Sequence, residues 1–346
     1  MTDNIVEMNK PMQGDLPLVS VIIPSFNNES FIGPAIESLF RQTYSEEKME
    51  IIVVDDGSTD NTLEVLGKYE AKIVLICHNH RGIAAARNAG ISHASGEIIT
   101  FLDSDDIWHE LRVEKVVEKF MEKPEAGMVY HPVELIDSAG AKIFGNFYDA
   151  FGYREGLSGR VANEIASGSI FSGGSSFSLR KGVARMIFPI PEDIRRGVDY
   201  YMNVISSCYA PVEYVPEILG KYRLHKGNLT MSEGPVSMMT LIAMNKDFAH
   251  TRQRVMEKLS ELHTNQVNLN IIRRIQAKEM IFYNVLSGRR HEGIRQIPAL
   301  FKDSLSLKEL LWGVAVSGMA FFVPASLYPR MLGVYRFSKR LKIVTF

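Results

Sequence analysis

The sequence is poor in the residues and patterns that build several common kinds of site. It contains only two cysteines, Cys77 and Cys208, among 346 residues, which excludes a disulfide framework and the Cys/His spacing of a zinc site. It also has no G-x-x-x-x-G-K-[ST] phosphate loop, and no G-x-G-x-x-G follows the first predicted strand. A nucleotide bound here would need another group to neutralise its phosphates.

The N-terminus has no long apolar run. The charged residues are also unevenly distributed along the chain. Polar residues interrupt residues 1–16, so we expect no signal peptide there and interpret this stretch as a flexible leader. The formal net charge is -1, but residues 267–346 carry 13 Lys/Arg and 4 Asp/Glu. A basic tail on an acidic body predicts an anionic partner for the tail, either a membrane surface or another polyanion.

Carboxylates cluster directly after one apolar run. Residues 98–102 are typical of a buried strand, and Asp103, Asp105 and Asp106 follow within four positions. Burying a lone carboxylate costs several kcal/mol, so we expect these acids to face a cleft at the strand end and to hold a cation. Hard carboxylate oxygens suit Mg²⁺ or Mn²⁺. Phosphate oxygens of the ligand and water molecules would complete the octahedral coordination of such an ion.

Strand and helix patterns alternate along the first third of the chain. Strands are predicted at 18–23, 50–54, 73–77 and 98–102, and helices at 31–42, 62–69, 82–89 and from Trp108 to about 122. This alternation predicts a mainly parallel α/β sheet covered by helices on both faces. Further on, the pattern predicts strands at 128–135 and 175–179, a helix at 199–208 and helical structure from about 237.

Polar turns follow three of the predicted strands, at residues 24–28, 55–60 and 103–106. In open parallel sheets, ligands bind outside the carboxyl ends of the strands, at the point where the strand order reverses. We therefore expect these three turns to converge on one pocket.

Four segments resemble, in order and spacing, the motifs of family 2 glycosyltransferases. They are VSVIIPSFNNE at 19–29, EIIVVDDGSTD at 50–60, GIAAARNAGI at 82–91 and FLDSDD at 101–106, the last being similar to the family's D-x-D metal motif. The resemblance implies a GT-A fold and inverting sugar transfer from a nucleotide-sugar, usually a UDP-sugar.

The resemblance also implies roles for individual residues. Donor binding falls to residues in the three turns and one helix, with Asp55 or Asp56 reading the uracil edge, Phe26 near the base, and Arg87 near the nucleotide or pyrophosphate. Asp103 would contact the ribose and support the metal, for which Asp105 is the main ligand. The remaining donor-binding residues are Pro24, Asn27 and Ser104.

Two later segments fit the family pattern less closely. In RRGVDYY, Asp199 is the candidate catalytic base, although Val198 stands where the family often has an acid; the alternative is a helix-start aspartate beside Arg195 and Arg196. In the segment from 220 to 230, Arg223 is assigned to the donor and His225 to the metal, with a structural hydrogen bond as the alternative for His225.

Two features near the acids have an open interpretation. Residues 173–177 either border the acceptor or form a plain turn before a strand, and Trp108 either stacks on a sugar or packs in the core. The role of Asp106 is also open between metal support and orientation of the site.

These patterns predict a flexible leader at 1–16, a GT-A catalytic domain at 17–232 and a helical C-terminal region at 233–346. Within the catalytic domain, 17–110 form the nucleotide-binding half and 111–232 the acceptor half. Residues 310–329 are uncharged but rich in Gly, Ser and Pro, and basic residues follow. Basic flanks stay cytoplasmic, so a single membrane span would put the catalytic domain outside, away from nucleotide-sugars. We therefore interpret 305–346 as a helical hairpin or interfacial segment on an anionic inner leaflet, with a buried core helix as the alternative.

The chain is therefore predicted to be a metal-dependent, inverting glycosyltransferase that uses Mn²⁺ or Mg²⁺. It would move a sugar from a nucleotide-sugar to a glycan or lipid-linked acceptor in cell-surface polysaccharide synthesis. We expect it in the cytoplasm, peripheral to the inner face of the cell membrane, with no nucleic-acid partner. The alternatives are a nucleotidyltransferase that makes a nucleotide-sugar and a non-catalytic nucleotide-sugar-binding scaffold.

Overall fold

The structure is a computed structural model that describes residues 16–151, 153–168, 173–228, 237–264, 266–287, 289 and 292. Its strands are β1 (Val19–Ser25), β2 (Met49–Asp55), β3 (Val74–Cys77), β4 (Ile98–Phe101), β5 (Ile107–Trp108), β6 (Met128–Tyr130), β7 (Val133–Ile136), β8 (Lys142–Phe144), β9 (Phe177–Arg180), β10 (Val212–Tyr214) and β11 (Gly220–Arg223). Its α-helices are α1 (Ile32–Phe40), α2 (Thr62–Gly67), α3 (Ile83–His93), α4 (Arg112–Glu122), α5 (Phe147–Phe151), α6 (Ala162–Ala166), α7 (Lys181–Ile187), α8 (Val198–Tyr209), α9 (Met238–Glu261) and α10 (Leu269–Leu286).

Seven strands form the central sheet in the order β10-β6-β9-β4-β1-β2-β3. The pairs β4–β1, β1–β2, β2–β3 and β10–β6 are parallel, whereas β9 runs antiparallel to both of its neighbours. Successive crossovers place β1 next to both β2 and β4, so the strand order reverses there. This confirms the predicted mainly parallel sheet and places its switch point beside β1.

Both faces of this sheet are buried, and each carries its own apolar cluster. Ile22 and Ile52 belong to one apolar cluster, whereas Val21, Ile23 and Val53 belong to the other. Successive residues of a strand point to opposite faces, so a central strand covered on both sides must be apolar throughout. The β-branched run in β1 meets this requirement, and all seven of its residues are buried.

The single strand predicted at 128–135 is wrong. The chain forms β6 and β7 there, and these two strands belong to different sheets. Pro132 separates them, and because proline has no N–H it cannot continue the hydrogen-bonded ladder. The chain leaves the central sheet at this point and enters a second sheet with the order β5-β11-β7-β8.

Helices α9 and α10 form an antiparallel pair that follows the sheets in sequence and packs on α8 and α6. This confirms the helical pattern predicted after 237. No helix in the described part of the chain is both long and apolar enough to cross a membrane. The segment 305–346, for which membrane contact is predicted, lies outside the described residues, as do residues 1–15 of the predicted leader.

Candidate active site

The three polar turns meet at the carboxyl ends of β1, β2 and β4. Asn27, which has a positive φ of 48°, accepts a hydrogen bond on Oδ1 from the Thr59 amide at 2.7 Å. The Asn28 side-chain amide donates to Ser104 Oγ at 2.5 Å. The turn after β1 is thus tied to the turns after its two neighbours, and the predicted convergence is observed. In this arrangement Asn27 and Ser104 hold the turns together.

The two adjacent acids after β2 have different environments. Asp55 is 1% exposed; its Oδ2 accepts from the Gly57 and Ser58 amides, whereas Oδ1 has no partner among the described residues. Asp56 is also buried, but both of its oxygens accept backbone amides, from Arg81 and Gly82. A buried carboxylate oxygen without a donor is costly, so Asp55 is the acid poised to accept a ligand N–H.

A second polar atom at this edge also lacks a partner. Ser25 ends β1 opposite Asp55 in the parallel register, and its buried hydroxyl has no hydrogen bond to any described residue. Pro24, one residue earlier, is buried within β1, and its contact with the donor stays a prediction.

Two aromatic rings stack between the turn after β1 and the loop after β3. Phe26 is 41% exposed, and its ring lies 4.1 Å from the His80 ring, centroid to centroid, at an interplanar angle of 29°. His80 Nδ1 lies 3.1 Å from Asp56 Oδ2, which fixes the imidazole against the turn after β2. An exposed aromatic surface beside an unpaired buried acceptor is a combination that suits a planar nucleobase.

Arg87, in α3, joins the acidic turn to the candidate base. Its side chain is fully buried, and its guanidinium donates to Asp199 Oδ1 at 2.5 Å and to Asp103 Oδ1 at 3.1 Å. Burial alone would lower the pKa of Arg87, but the charges of Asp199 and Asp103 outweigh it, and the pKa is raised. The guanidinium of Arg87 therefore holds two carboxylates that are 96 residues apart in the sequence.

Asp199 lies in the first turn of α8, which begins after Gly197 in a left-handed conformation with φ 77°. Its side chain is 30% exposed, so it reaches both Arg87 and solvent. Val198, at the position where an acid is common, is 2% exposed and packs in the core. The departure at Val198 therefore removes no carboxylate from the site as this chain builds it.

Asp106 is buried, and both of its carboxylate oxygens accept hydrogen bonds from the protein. It is 1% exposed; Oδ2 accepts from the Ser175 hydroxyl at 2.6 Å and Oδ1 from the Arg223 amide at 2.9 Å. Burial, together with the nearby charges of Asp105 and Asp103, raises its pKa well above the ordinary range. The role that the sequence left open for Asp106 is thus orientation of the acidic turn.

Residues 173–176 press against the acidic turn rather than forming an unrelated loop. The Ser175 hydroxyl also accepts from the Asp103 amide at 2.9 Å, and a Cβ on Gly174 would lie 2.5 Å from Asp103 Oδ1 and from Arg87 Nη2. Trp108 is 3% exposed and donates from Nε1 to the Ser175 carbonyl, so it packs and does not face a sugar.

Asp105 is held by the segment after β11. His225 Nε2 lies 2.9 Å from Asp105 Oδ2, and the Gly227 amide donates to His225 Nδ1 at 3.1 Å. Since Nδ1 accepts, the ring proton is on Nε2 and is donated to Asp105. Ligation of a metal by His225 would require this proton to move, and the assignment of His225 as a ligand stays a prediction.

Arg223 is buried beneath the acidic turn. Its Nε donates to the Asp105 carbonyl at 2.8 Å, and its Nη1 donates to the carbonyls of Asp137 and Ser138. These contacts commit the guanidinium to backbone oxygens. Contact between Arg223 and the donor therefore stays a prediction, and the observed contacts are those of a residue that shapes the turn.

The carboxylates of the acidic turn fit a hard divalent cation that takes only part of its ligands from the protein. Within the described residues, no three His, Cys, Asp or Glu side chains are grouped so that they could hold a metal ion by themselves. Asp103 and Asp105 nevertheless place two partly exposed carboxylates on one turn. Mg²⁺ and Mn²⁺ sites at phosphates are commonly built from one or two carboxylates plus phosphate oxygens and water, which is what this turn offers.

Sequence reasoning missed His80 and did not resolve the role of Ser175. A usable signal existed for His80, because it lies at the polar end of β3, the fourth strand end at this edge of the sheet. Ser175 was recognised only as part of a glycine-rich segment, since a serine that bridges two turns has no sequence pattern of its own.

Comparison with known proteins agrees with this geometry. The family model for glycosyl transferase family 2 matches residues 20–172. A curated relative from Nostoc sp., an uncharacterized glycosyltransferase, is 31% identical over 219 residues, which are 62% of this chain and 67% of that protein. Escherichia coli WfgD, named as a UDP-Glc:alpha-D-GlcNAc-diphosphoundecaprenol beta-1,3-glucosyltransferase, is 40% identical over 123 residues, 35% of this chain and 47% of WfgD.

Solved structures show the same fold. Staphylococcus aureus TarS 1–349 in complex with UDP-GlcNAc superposes with a TM-score of 0.55 at 20% identity, covering 94% of this chain and 90% of TarS 1–349. At that identity the likeness shows the GT-A fold alone. The chain spans between 31% and 67% of the length of four curated relatives that it matches. With a relative matched over two thirds of its length and the family's motifs at the carboxyl edge of the sheet, the chain belongs to glycosyl transferase family 2 and is a glycosyltransferase.

Proposed function

We propose that this protein transfers a hexose, with inversion, from a UDP-sugar to a hydroxyl group of a glycan or lipid-linked acceptor, with Mn²⁺ or Mg²⁺ at the acidic turn. The observation that carries the proposal is the Arg87 bridge between Asp103 and Asp199. It places Asp103, a carboxylate expected at the donor, and the candidate base Asp199 on the same guanidinium.

The base-recognition part of the proposal rests on Asp55 and Phe26. Uracil presents one ring N–H, which the unpaired Oδ1 of Asp55 would accept, and the exposed ring of Phe26 offers a stacking surface next to it. Asp56 is assigned instead to holding the loop at 81–82.

Asp199 is the proposed general base. An acceptor hydroxyl is a weak nucleophile at neutral pH, and a positioned carboxylate that removes its proton typically contributes about 10²–10⁴-fold to the rate. Arg87 contacts Oδ1 of Asp199 and keeps the carboxylate directed into the site, while the partly exposed side chain remains reachable for a hydroxyl. Attack from the base side, opposite the leaving group, inverts the anomeric carbon.

Asp105 and Asp103 are the proposed protein ligands of the cation. A divalent ion there supplies positive charge to the diphosphate as it leaves, which the chain's missing phosphate loop does not provide. The chain's own contribution is to hold both carboxylates in place, through His225 on Asp105 and through Arg87 and Ser175 on Asp103.

The acceptor class rests on the relative WfgD, whose name specifies a diphosphoundecaprenol-linked sugar. A lipid-linked acceptor would place the reaction at a membrane surface, and the basic segment 305–346 would suit an anionic inner leaflet. We therefore propose cell-surface polysaccharide synthesis at the cytoplasmic face of the membrane.

A panel of donors tests the proposal. UDP-glucose, UDP-GlcNAc, UDP-galactose and GDP-mannose are incubated with the full chain and Mn²⁺, or with EDTA, and release of nucleoside diphosphate is measured. We expect slow release of UDP that EDTA abolishes. Exchange of pyrophosphate would instead identify a nucleotidyltransferase, and donor binding without turnover would identify a scaffold.

Two variants assign the roles within the site. Asp199→Asn should lower turnover about 10²–10⁴-fold while UDP affinity stays within about twofold. Asp105→Ala should make turnover independent of Mn²⁺. The same variant should lose the Mn²⁺ binding that calorimetry measures for the native protein. Glu64→Gln, an exposed carboxylate on α2, is the matched control. Near-normal turnover of either site variant would refute the role assigned to that residue.

A further inference from the structure

Helix α9 contacts the segment that leads into the candidate base. Residues 193–197 are the last part of the segment that connects α7 to α8, and Asp199 follows two residues after Gly197. The positions of α9 that contact this segment include 247, 251 and 254, a spacing of four and three residues that places them on one face of the helix. One face of a C-terminal helix therefore lies along the backbone that carries Asp199.

Two of these contacts are sheltered from solvent. Thr251 Oγ1 donates to the Arg196 carbonyl at 2.5 Å, a shorter contact than the 3.0 Å to the Asp247 carbonyl of its own helix. Arg196 also forms an ion pair with Asp247, and both side chains are more than four-fifths buried. A helical threonine often bonds to the carbonyl four residues earlier in its own helix, whereas the bond from Thr251 to Arg196 joins two separate parts of the fold.

Gly197 adds a steric constraint at the same place. Its left-handed φ favours glycine, and a Cβ there would lie 3.2 Å from Phe248 and 3.4 Å from Thr251. The backbone of the segment therefore rests directly on α9. Asp193 contributes less, because its pairs with Arg254 and His250 are near the surface, where ion pairs are weak.

We propose, on the basis of the proposed function, that Thr251 and Asp247 are positioning residues for Asp199. Arg87 fixes the carboxylate end of Asp199, whereas α9 fixes the backbone that carries it. Arg196 lies three residues before Asp199, and Gly197 between them rests against Phe248 and Thr251, so a shift of this backbone would displace the start of α8. The C-terminal helical region is in this way part of the catalytic apparatus.

The test compares two variants of Thr251. Thr251→Val removes the hydroxyl at nearly constant volume and should lower kcat for UDP-sugar turnover by about 10- to 100-fold, since small misplacements of reacting groups have effects of that size. The KM for the donor and the affinity for UDP, measured by calorimetry, should change less than about twofold, since the hydrogen bonds of Thr251 go to Arg196 and Asp247, neither of which is assigned to the donor. Thr251→Ser keeps the hydroxyl and should restore kcat. Glu261→Gln, an exposed position at the end of α9, is the control.

A double-mutant cycle with Asp199→Asn separates this inference from the proposed function. If α9 acts through Asp199, Thr251→Val should have little additional effect once Asp199 is Asn. Equal effects of Thr251→Val in both backgrounds, unchanged kcat, or a parallel loss of UDP affinity would overturn the positioning role. Normal turnover by Asp199→Asn would instead overturn the assignment of the base. Should Thr251→Val fold poorly, Asp247→Asn makes the same comparison through the ion pair.

Discussion

Replacing Asp55 with asparagine is expected to change which nucleobase the protein accepts. In the variant, the amide oxygen can remain on the Gly57 and Ser58 amides, which occupy Oδ2 in the native protein. The NH₂ group then takes the place of Oδ1, the buried atom without a partner among the described residues. A hydrogen-bond acceptor in the pocket becomes a donor, with almost no change in shape.

The size of the effect follows from the charge on the lost acceptor. A hydrogen bond to a charged group contributes roughly 1.5–3 kcal/mol. At about 1.4 kcal/mol for each tenfold change, the Kd for UDP should rise about 10- to 150-fold. CDP should lose much less affinity, because the ring nitrogen of cytosine at the same position accepts a hydrogen bond instead of donating one. The preference for UDP over CDP should therefore shrink or reverse.

Calorimetric titration of UDP and CDP at a fixed Mn²⁺ concentration measures this preference. Asp56→Asn is the matched control: both of its native oxygens already accept backbone amides, so this variant should lower thermal stability and keep the native UDP preference. If Asp55→Asn binds UDP and CDP in the native ratio, or if only Asp56→Asn changes the ratio, the assignment of Asp55 as the base reader is wrong.

Three further predictions concern stability and packing. Asp106→Ala leaves the buried Ser175 hydroxyl and a backbone amide without an acceptor, which should lower the free energy of unfolding by about 2–6 kcal/mol in chemical denaturation; Asp106→Asn should cost less, and equal costs would contradict the bonding described. Burial and the neighbouring Arg112 lower the pKa of His131 to about 3, so the unfolded chain binds a proton below pH 6.5 and the folded chain does not. The contribution of His131 to stability should therefore fall as pH falls, by roughly 2 kcal/mol from pH 6.5 to 5, and the free energy of unfolding of the native protein relative to that of His131→Gln should fall by this amount. Gly174→Ala places a methyl group against Arg87 and should reduce UDP-sugar turnover at least about tenfold while leaving the fold intact by circular dichroism.

Much of the fold can be predicted from local patterns. The four strands predicted between 18 and 102 are present with ends displaced by at most two residues, because alternating or continuous apolar runs and polar breaks are properties of neighbouring residues. The single strand predicted at 128–135 is wrong for a reason that the local pattern does not contain. Pro132 marks the break, but the passage of the chain into a second sheet depends on which strands pair with each half.

The sequence alone predicts that polar groups collect at one edge of the sheet. Parallel strands joined by helices must all end at the same edge, so acids that follow β2 and β4 are close in space wherever the helices pack. It also determined that the site must handle phosphate without a phosphate loop, since that loop is a contiguous pattern that the chain lacks.

The role of each polar group depends on the tertiary structure. Asp55 and Asp56 are neighbours with the same side chain, and the loops that donate amides to them determine that one is saturated and the other is not. Arg87 and Asp199 are 112 residues apart, and their contact exists because α8 packs where α3 buries its arginine. The acid cluster after β4 divides for the same reason: Asp106 is enclosed by Ser175 and β11, whereas Asp103 and Asp105 stay open to a ligand. Hydrogen bonds between distant segments depend on packing, and no local pattern specifies it.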